Sequence, residues 1–211
     1  MDVHGLTVGQ IAENSYIMRA KGSPKGLIVD PGDEAPRLLA ALDELGIELE
    51  AILLTHCHFD HVGAVAPVAK ATGAPVYCPE IEVPVLADIM SFVPFAGFGP
   101  FESYDAEETV SGGEKLELAG LQIDVIFTPG HSPGHVSYSI PEKAALFSGD
   151  VLFQGSVGRT DLPGGDWPTL EQSIKGLLDS HPDETAVYPG HMGVTTVGAE
   201  RATNPFLAGL R

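Results

Sequence analysis

An αββα sandwich of the α+β class, with two β-sheets face to face and helices on the outside, is the fold that this 211-residue sequence predicts. Three observations lead there. Short β-type runs and helical patterns occur in both halves of the chain, so each half can supply one sheet and a covering helix. The connections between them are short, and no shift of composition marks a linker, so residues 1–211 read as a single domain. Hydrophobic residues make up 44% of the chain and charged residues 19%, a balance that supports a buried core.

Taken in order, strands are expected at Asn14–Met18 and Gly26–Asp30, the second closed by Pro31-Gly32, where Pro presets φ and Gly permits a positive φ. A helix follows at Ala35–Leu45, because Leu38, Leu39, Leu42 and Leu45 fall on one face, and Gly46 supplies a stop. The apolar run 51–55 suits a buried strand. A helix over Val62–Ala71 and a strand over Pro75–Cys78 complete a β-α-β-α-β order. The second half opens with a hairpin, Lys115–Leu118 and Leu121–Phe127, turned at Ala119-Gly120. Strands at His135–Ile140 and Ala144–Phe147, a helix at Thr169–Leu178 and a strand at Thr185–Tyr188 follow.

Charge excludes several classes of partner. Lys and Arg total 11 against 29 Asp and Glu, a net charge of -18 that repels phosphate backbones and anionic lipid, so nucleic acid is not expected as a partner. The most apolar long stretch, 89–101, is interrupted by Pro94 and Pro100 and is too short to span a bilayer. The beginning Met1-Asp2-Val3-His4 has no basic region of the export type. The 2 cysteines, Cys57 and Cys78, form no paired framework, so a reducing cytoplasm is the expected setting.

The chemistry is concentrated after strand ends. Thr55-His56-Cys57-His58-Phe59-Asp60-His61 follows the apolar run directly. In extended backbone, residues two apart point the same way, so His56 and His58 can grip one ion while Asp60 and His61, at a helix entrance, turn toward a second. Imidazole and carboxylate are donors that zinc, iron and manganese accept. Three further β-runs end in a turn and a potential ligand: Thr128-Pro129-Gly130-His131, Ser148-Gly149-Asp150 and Pro189-Gly190-His191. Five of the 8 histidines occupy such places, which a scattered surface origin would not produce. Two divalent ions roughly 3.5 to 4 Å apart can share a water, lower its pKa toward about 7 and polarise a carbonyl, so hydrolysis of an activated acyl group is the expected reaction. A thiolate leaving group needs little protonation, which makes thioesters suitable substrates.

These four motifs resemble those of the metallo-β-lactamase fold superfamily, and the resemblance covers residues 14–208. It implies that His56, His58 and His131 hold a first metal, that Asp60, His61 and His191 hold a second, and that Asp150 bridges them. Asp60 and Asp150 then serve as the catalytic carboxylates, with no separate nucleophile or general base. Zinc is the expected ion, with iron and manganese as alternatives. The segment 149–161 resembles the glyoxalase II and persulfide dioxygenase branch, and Leu162-Pro163-Gly164-Gly165-Asp166 with the ending Thr203-Asn204-Pro205-Phe206 is similar to single-domain glyoxalase II-like, or hydroxyacylglutathione hydrolase-like, enzymes. The helical C-terminal domain of full-length glyoxalase II is expected to be lacking. The resemblance implies cleavage of S-lactoylglutathione or related small-molecule thioesters, with Arg159 contacting the thiol portion. An ion pair of Arg159 with Asp161 or Asp166 is the alternative role. A mononuclear iron persulfide dioxygenase using His56, His131 and Asp150 is the competing activity, and lactonase and phosphodiesterase chemistry occur on the same fold.

Other residues have plainer readings. Cys57, between two candidate ligands, should point into the core, and Cys78 should be buried. His135 is either an ordinary strand residue or a hydrogen-bonding neighbour of the site. His4 and His181 read as surface residues. Asp30 resembles an acid that steadies the metal loop, with a turn-forming role as the alternative. Phe92, Phe95, Phe98, Phe101 and Tyr104 recur at every third position among prolines and glycines that oppose a helix. They are expected as core or homodimer contact, or as a mobile wall over the active site that recruits an apolar acyl or thiol portion.

Overall fold

The computed structural model describes residues 1–209. The chain opens with antiparallel strands β1 (Asp2–Val8), β2 (Glu13–Arg19) and β3 (Lys25–Val29). Helix α1 (Ala35–Leu45) buries Leu38 and Leu42 and ends at Gly46 in the left-handed conformation, whose N–H bonds back to Asp43. Next come β4 (Glu48–Leu53), α2 (Phe59–Val62), α3 (Val65–Thr72), β5 (Val76–Pro79), α4 (Val83–Ala87) and β6 (Glu108–Val110). The strands form one sheet in the order β1-β2-β3-β4-β5-β6, parallel from β3 onward.

The second half supplies β7 (Lys115–Leu118), β8 (Leu121–Phe127), β9 (Val136–Ile140), β10 (Ala145–Gly149) and the small hairpin β11 (Leu152–Phe153) and β12 (Ser156–Val157). Helix α5 (Trp167–Ser180), β13 (Ala186–Pro189), β14 (Thr195–Thr196) and α6 (Val197–Thr203) complete it. Its main sheet runs β14-β13-β10-β9-β8-β7. The β7–β8 turn places Ala119 and Gly120 both at positive φ, 50° and 73°, which matches the right-handed twist of the hairpin.

Period-two alternation separates three apolar layers. Leu27, Val29 and Leu53 meet Ile123, Val125, Tyr138 and Phe147 between the sheets. Ile28, Ile52 and Leu54 face the opposite way and pack with Leu38, Leu42, Val65 and Val68 of α1 and α3. Leu146 and Val187 cover Leu170, Ile174 and Leu177 of α5. The expected αββα sandwich is therefore the observed fold. No helix among the described residues is long and apolar enough to cross a membrane.

Several boundaries differ from expectation. The helix expected over 62–71 is two helices, α2 and α3, parted at Gly63-Ala64. Ala64 donates its N–H to the Pro31 carbonyl, 3.0 Å away, and so leaves the helical ladder. A Cβ on Gly63 would stand 2.5 Å from the Gly32 oxygen and 2.7 Å from the Phe101 ring, so the chain passes there only as glycine. Strands β1 and β6 escape the sequence pattern because each buries one residue fully, Val8 and Val110, and periodicity has little to show. The helix expected at 169–178 extends to both sides, capped by the Asp166 carboxylate on the Thr169 N–H.

What this architecture does for function is align strand ends. β10 and β13 run parallel, with Gly149 beside Pro189, and β3 and β4 run parallel, with Val29 beside Leu53. The segments that follow them therefore leave together at one rim of the sandwich.

Candidate metal centre

Beyond β4 the chain stays extended through His58 (φ -65°, ψ 145°) before α2 begins. His56 and His58 accordingly project together, with His56 Nε2 3.2 Å from His58 Nδ1. Cys57 turns into the core, where its Sγ lies 3.5 Å from that of Cys78, both free and buried. His131, from the loop after β8, brings its Nε2 to 2.8 Å from His58 Nδ1. The donor atoms of His56, His58 and His131 lie within 4.8 Å of one another, as do those of Asp60, His61 and His191. Asp150 stands between the two groups. Its Oδ1 is 3.3 Å from His61 Nε2, and its Oδ2 is 3.4 Å from His131 Nε2 and 3.6 Å from His191 Nε2. All seven residues singled out as ligands are thus brought to one place.

The arrangement fits metal ions. Buried His61 Nε2 and Asp150 Oδ1 face each other 3.3 Å apart as an ion pair, and neither makes a well-formed hydrogen bond to another group. Two buried donor atoms that point at one spot without a well-formed hydrogen bond are suited to a shared cation, which can accept a lone pair from each. Five imidazoles and two carboxylates form a donor set suited to zinc, iron or manganese. Gly190 is part of the cradle, since a Cβ there would collide with the Asp150 carboxylate and sit 2.6 Å from the His61 ring.

Protonation follows the same geometry. Burial, reinforced by neighbouring imidazoles, pushes His56 and His135 well below the ordinary histidine value, and burial with His131 brings His58 down to about 4. Burial alone would raise Asp150, but His61 and His131 outweigh it and hold the carboxyl well below its usual range. Asp60 is lowered against burial in the same way by His61 and His191. His61 is raised, because Asp150 and Asp60 outweigh its burial. In the metal-free protein a proton on His61 balances the two carboxylates, and a divalent ion takes over that charge and releases the proton.

Three of the candidate ligand imidazoles, His56, His61 and His131, are aimed by their other nitrogen. His61 donates from Nδ1 to Asp30 Oδ2 at 3.0 Å, and Asp30 also accepts from the Thr55 N–H at 2.7 Å and the Thr55 hydroxyl at 2.6 Å. Asp30 also sits at φ 47°, so both of its proposed readings, turn residue and loop-steadying acid, describe it. His131 donates from Nδ1 to the Arg159 carbonyl at 2.7 Å. His135 is more than a strand residue. Its Nε2 accepts from the Asp150 N–H at 3.0 Å and its Nδ1 faces the Thr128 hydroxyl at 3.0 Å, which fixes the backbone that carries Asp150.

Three supporting residues escaped the sequence reading. Asn14 donates from Nδ2 to the carbonyls of Pro189 and Met192, 3.1 and 2.9 Å away, clamping the turn that presents His191. Buried Glu82 accepts from the Ser132 hydroxyl and the Gly134 N–H at 2.7 and 2.8 Å, bracing the His131 loop. Glu13 is buried with Oε1 3.8 Å from His61 Nδ1, and burial raises its pKa well above normal. Only an acidic residue inside an apolar context could have hinted at Glu13 and Glu82. For Asn14 the sequence carries no signal.

Over the centre lies a cavity of about 970 Å³. Arg159 lines it, and its guanidinium makes a bidentate pair with Asp161, Nε–Oδ1 2.6 Å and Nη2–Oδ2 2.7 Å, while Asp166 instead caps α5. The aromatic stripe divides. Phe92 and Phe95 are exposed and line the cavity, whereas Phe98, Phe101 and Tyr104 pack against the core. His4 is exposed as expected, and His181 is half-buried against the Ser139 hydroxyl.

Comparison with known proteins bears on the family and the fold. The sequence model described as the metallo-beta-lactamase superfamily matches residues 8–191. The chain is similar to the hydroxyacylglutathione hydrolase GloC of Haemophilus influenzae, 38% identical over 187 residues covering 85% of this chain and 86% of the relative. Its fold is similar to the crystal structure of the BLEG-1 B3 metallo-beta-lactamase, with 38% identity and TM-score 0.93 over 99% of this chain and 100% of that one. It is likewise similar to TTHA1623 in a di-iron-bound form, with 43% identity and TM-score 0.85 over 97% and 100% of the two chains.

Proposed function

The chain belongs to the metallo-beta-lactamase superfamily as a metal-dependent hydrolase, and from that premise we propose that it is a glyoxalase II-like thioesterase. Its substrates are S-lactoylglutathione or related small-molecule thioesters. The observation that carries the reading is the convergence of seven candidate donor residues beneath a large cavity, with buried His61 Nε2 and Asp150 Oδ1 facing each other and making no well-formed hydrogen bond. The likeness to GloC directs it toward thioesters.

In this reading His56, His58 and His131 hold one ion, Asp60, His61 and His191 hold the other, and Asp150 serves both. Zinc is the ion we propose, and the same donors accept iron or manganese. When bound, two divalent ions supply an activated water and polarise the acyl carbonyl. The protein's part is positioning. Asp30, Thr55 and the Arg159 carbonyl hold the imidazoles in place, so little reorganisation accompanies reaction. Asp60 and Asp150 remain ionised and balance the charge. A thiolate leaves without a proton donor, which agrees with the absence of a separate acid in the proposed set. Arg159, at the cavity wall, is placed to exchange Asp161 for an anionic part of the thiol.

Metal content and two assays on one preparation test the proposal. Two ions per chain, thiol release from S-lactoylglutathione and no oxygen uptake with glutathione persulfide are expected. One iron per chain with rapid oxygen uptake would establish the dioxygenase alternative instead, and hydrolysis of a β-lactam without thioester cleavage would replace thioesters as the substrate class.

A further inference from the structure

The cavity walls carry a second message about the substrate. Of ten exposed large hydrophobic residues among those described, four line this one cavity: Ile11, Phe92, Phe95 and Met192. Exposed apolar side chains gathered in one concave place mark a binding surface more than chance exposure does. Phe95 is not loose. Its ring centroid lies 6.4 Å from that of Phe59 and 6.3 Å from that of Phe98, and Phe59 and Phe98 are 4.9 Å apart. Phe59 stands in sequence between His58 and Asp60, so the aromatic wall begins at the metal centre and continues outward. Met192 follows His191 directly and is held at φ 69°, a left-handed conformation that long side chains rarely adopt. The Asn14 side chain clamps its carbonyl there, and Met192 lines the cavity with 57% of the residue exposed.

Charge divides the lining further. Arg159 is the one cationic Lys or Arg side chain among the lining residues, and the chain as a whole carries a net charge of -18. Away from the metal centre, a thiol bearing carboxylates therefore finds its cationic partner at Arg159, which leaves the aromatic wall for the other half of the substrate. We propose that this wall, Ile11, Phe92, Phe95 and Met192, binds the acyl portion and that the preferred substrates are thioesters of apolar, medium-length acyl groups rather than short hydroxyacyl groups. The inference rests on the thioesterase reading and names its acyl class. The bond broken remains the thioester C–S bond, water supplies the hydroxyl of the released acid, and the sulfur leaves as a thiolate that takes up the remaining proton of that water after release.

A series with one leaving group isolates the acyl contribution: S-acetyl-, S-butyryl-, S-hexanoyl- and S-lactoylglutathione, assayed with the metal-loaded protein. We expect kcat/KM to rise about two- to fourfold per added methylene. S-Hexanoylglutathione should exceed S-lactoylglutathione at least tenfold. In Phe92→Ser/Phe95→Ser, whose changes lie on the surface, the hexanoyl-to-acetyl ratio should fall at least tenfold. Calorimetric binding of hexanoate and acetate, carboxylates left by any acyl hydrolysis, gives a readout independent of turnover and should favour hexanoate at least tenfold. If no thioester is cleaved but hexanoate binding is preferred and lost in the double variant, the wall stands and the thioesterase reading falls. A flat chain-length profile with equal binding of the two acids overturns the wall. So does a dimer in sedimentation that the double variant dissociates while the acyl preference is unchanged.

Discussion

His131 Nδ1 lies 2.7 Å from the carbonyl oxygen of Arg159, so the residue whose side chain edges the cavity also aims, through its backbone, an imidazole at the cavity floor. The two roles are separable. Removing the guanidinium leaves the carbonyl in place, so Arg159→Ala should keep its metal content while KM for glutathione thioesters rises about three- to tenfold with little change in kcat. Asp161→Ala frees the guanidinium from its bidentate partner and should lower KM by a similar factor. Steady-state kinetics beside metal analysis checks both, and an unchanged KM in Arg159→Ala would leave the loop ion pair as its whole role.

Asp150 touches both donor groups, through Oδ1 to His61 and Oδ2 to His131 and His191. Loss of residues that merely orient ligands lowers metal affinity about 10–100-fold, and loss of a shared ligand should exceed that. Asp150→Ala is therefore expected to hold at most one ion per chain and to lose hydrolysis. Two retained ions with near-normal turnover would remove Asp150 from the centre.

Asn14 acts on one half of the centre only, because its amide holds the carbonyls on either side of Gly190-His191. Asn14→Ala should weaken the ion held by Asp60, His61 and His191 about 10–100-fold and leave the other unaffected. A metal titration showing two unequal steps supports this, and equal loss of both ions would mean that the clamp stabilises the whole rim.

The metal-free protein should be most stable near pH 6.5. Burial lowers His56, His58 and His135, so their stabilising contribution is complete above about pH 6.5 and is lost as pH falls through their folded values, about 4 for His58. Glu13, raised by burial, offsets part of that gain. For His61, Asp150 and Asp60 outweigh burial and raise the folded value, so its contribution is complete below about pH 6.5 and is lost as pH climbs through that value. With metal bound, stability should instead increase as pH rises above 6.5, since ions compete with protons for the same donors. Thermal unfolding from pH 5 to 9, with and without chelator, reads both slopes. A metal-free Tm that rises steadily to pH 8 would contradict the assignment.

What the sequence alone determined is what local order can express. Alternation in 121–127 and the leucine spacing in 35–45 specify which face is buried, and a ligand placed just after a strand and a turn is already committed to the strand's end. Hence the sandwich, and the strand-end positions of the seven candidate donors, are legible in the order of residues. Packing decided the rest. Asn14 reaches Pro189 across 175 positions, Glu82 reaches Ser132 across 50, and the break between α2 and α3 depends on the approach of Gly63 to Gly32. The same holds for the aromatic stripe, whose regular spacing left core, dimer contact and cavity wall open and whose rings divide between core and cavity. Such contacts have no periodicity along the chain, because each depends on two distant backbone segments coming within hydrogen-bonding or van der Waals distance only after the sheets have closed on each other.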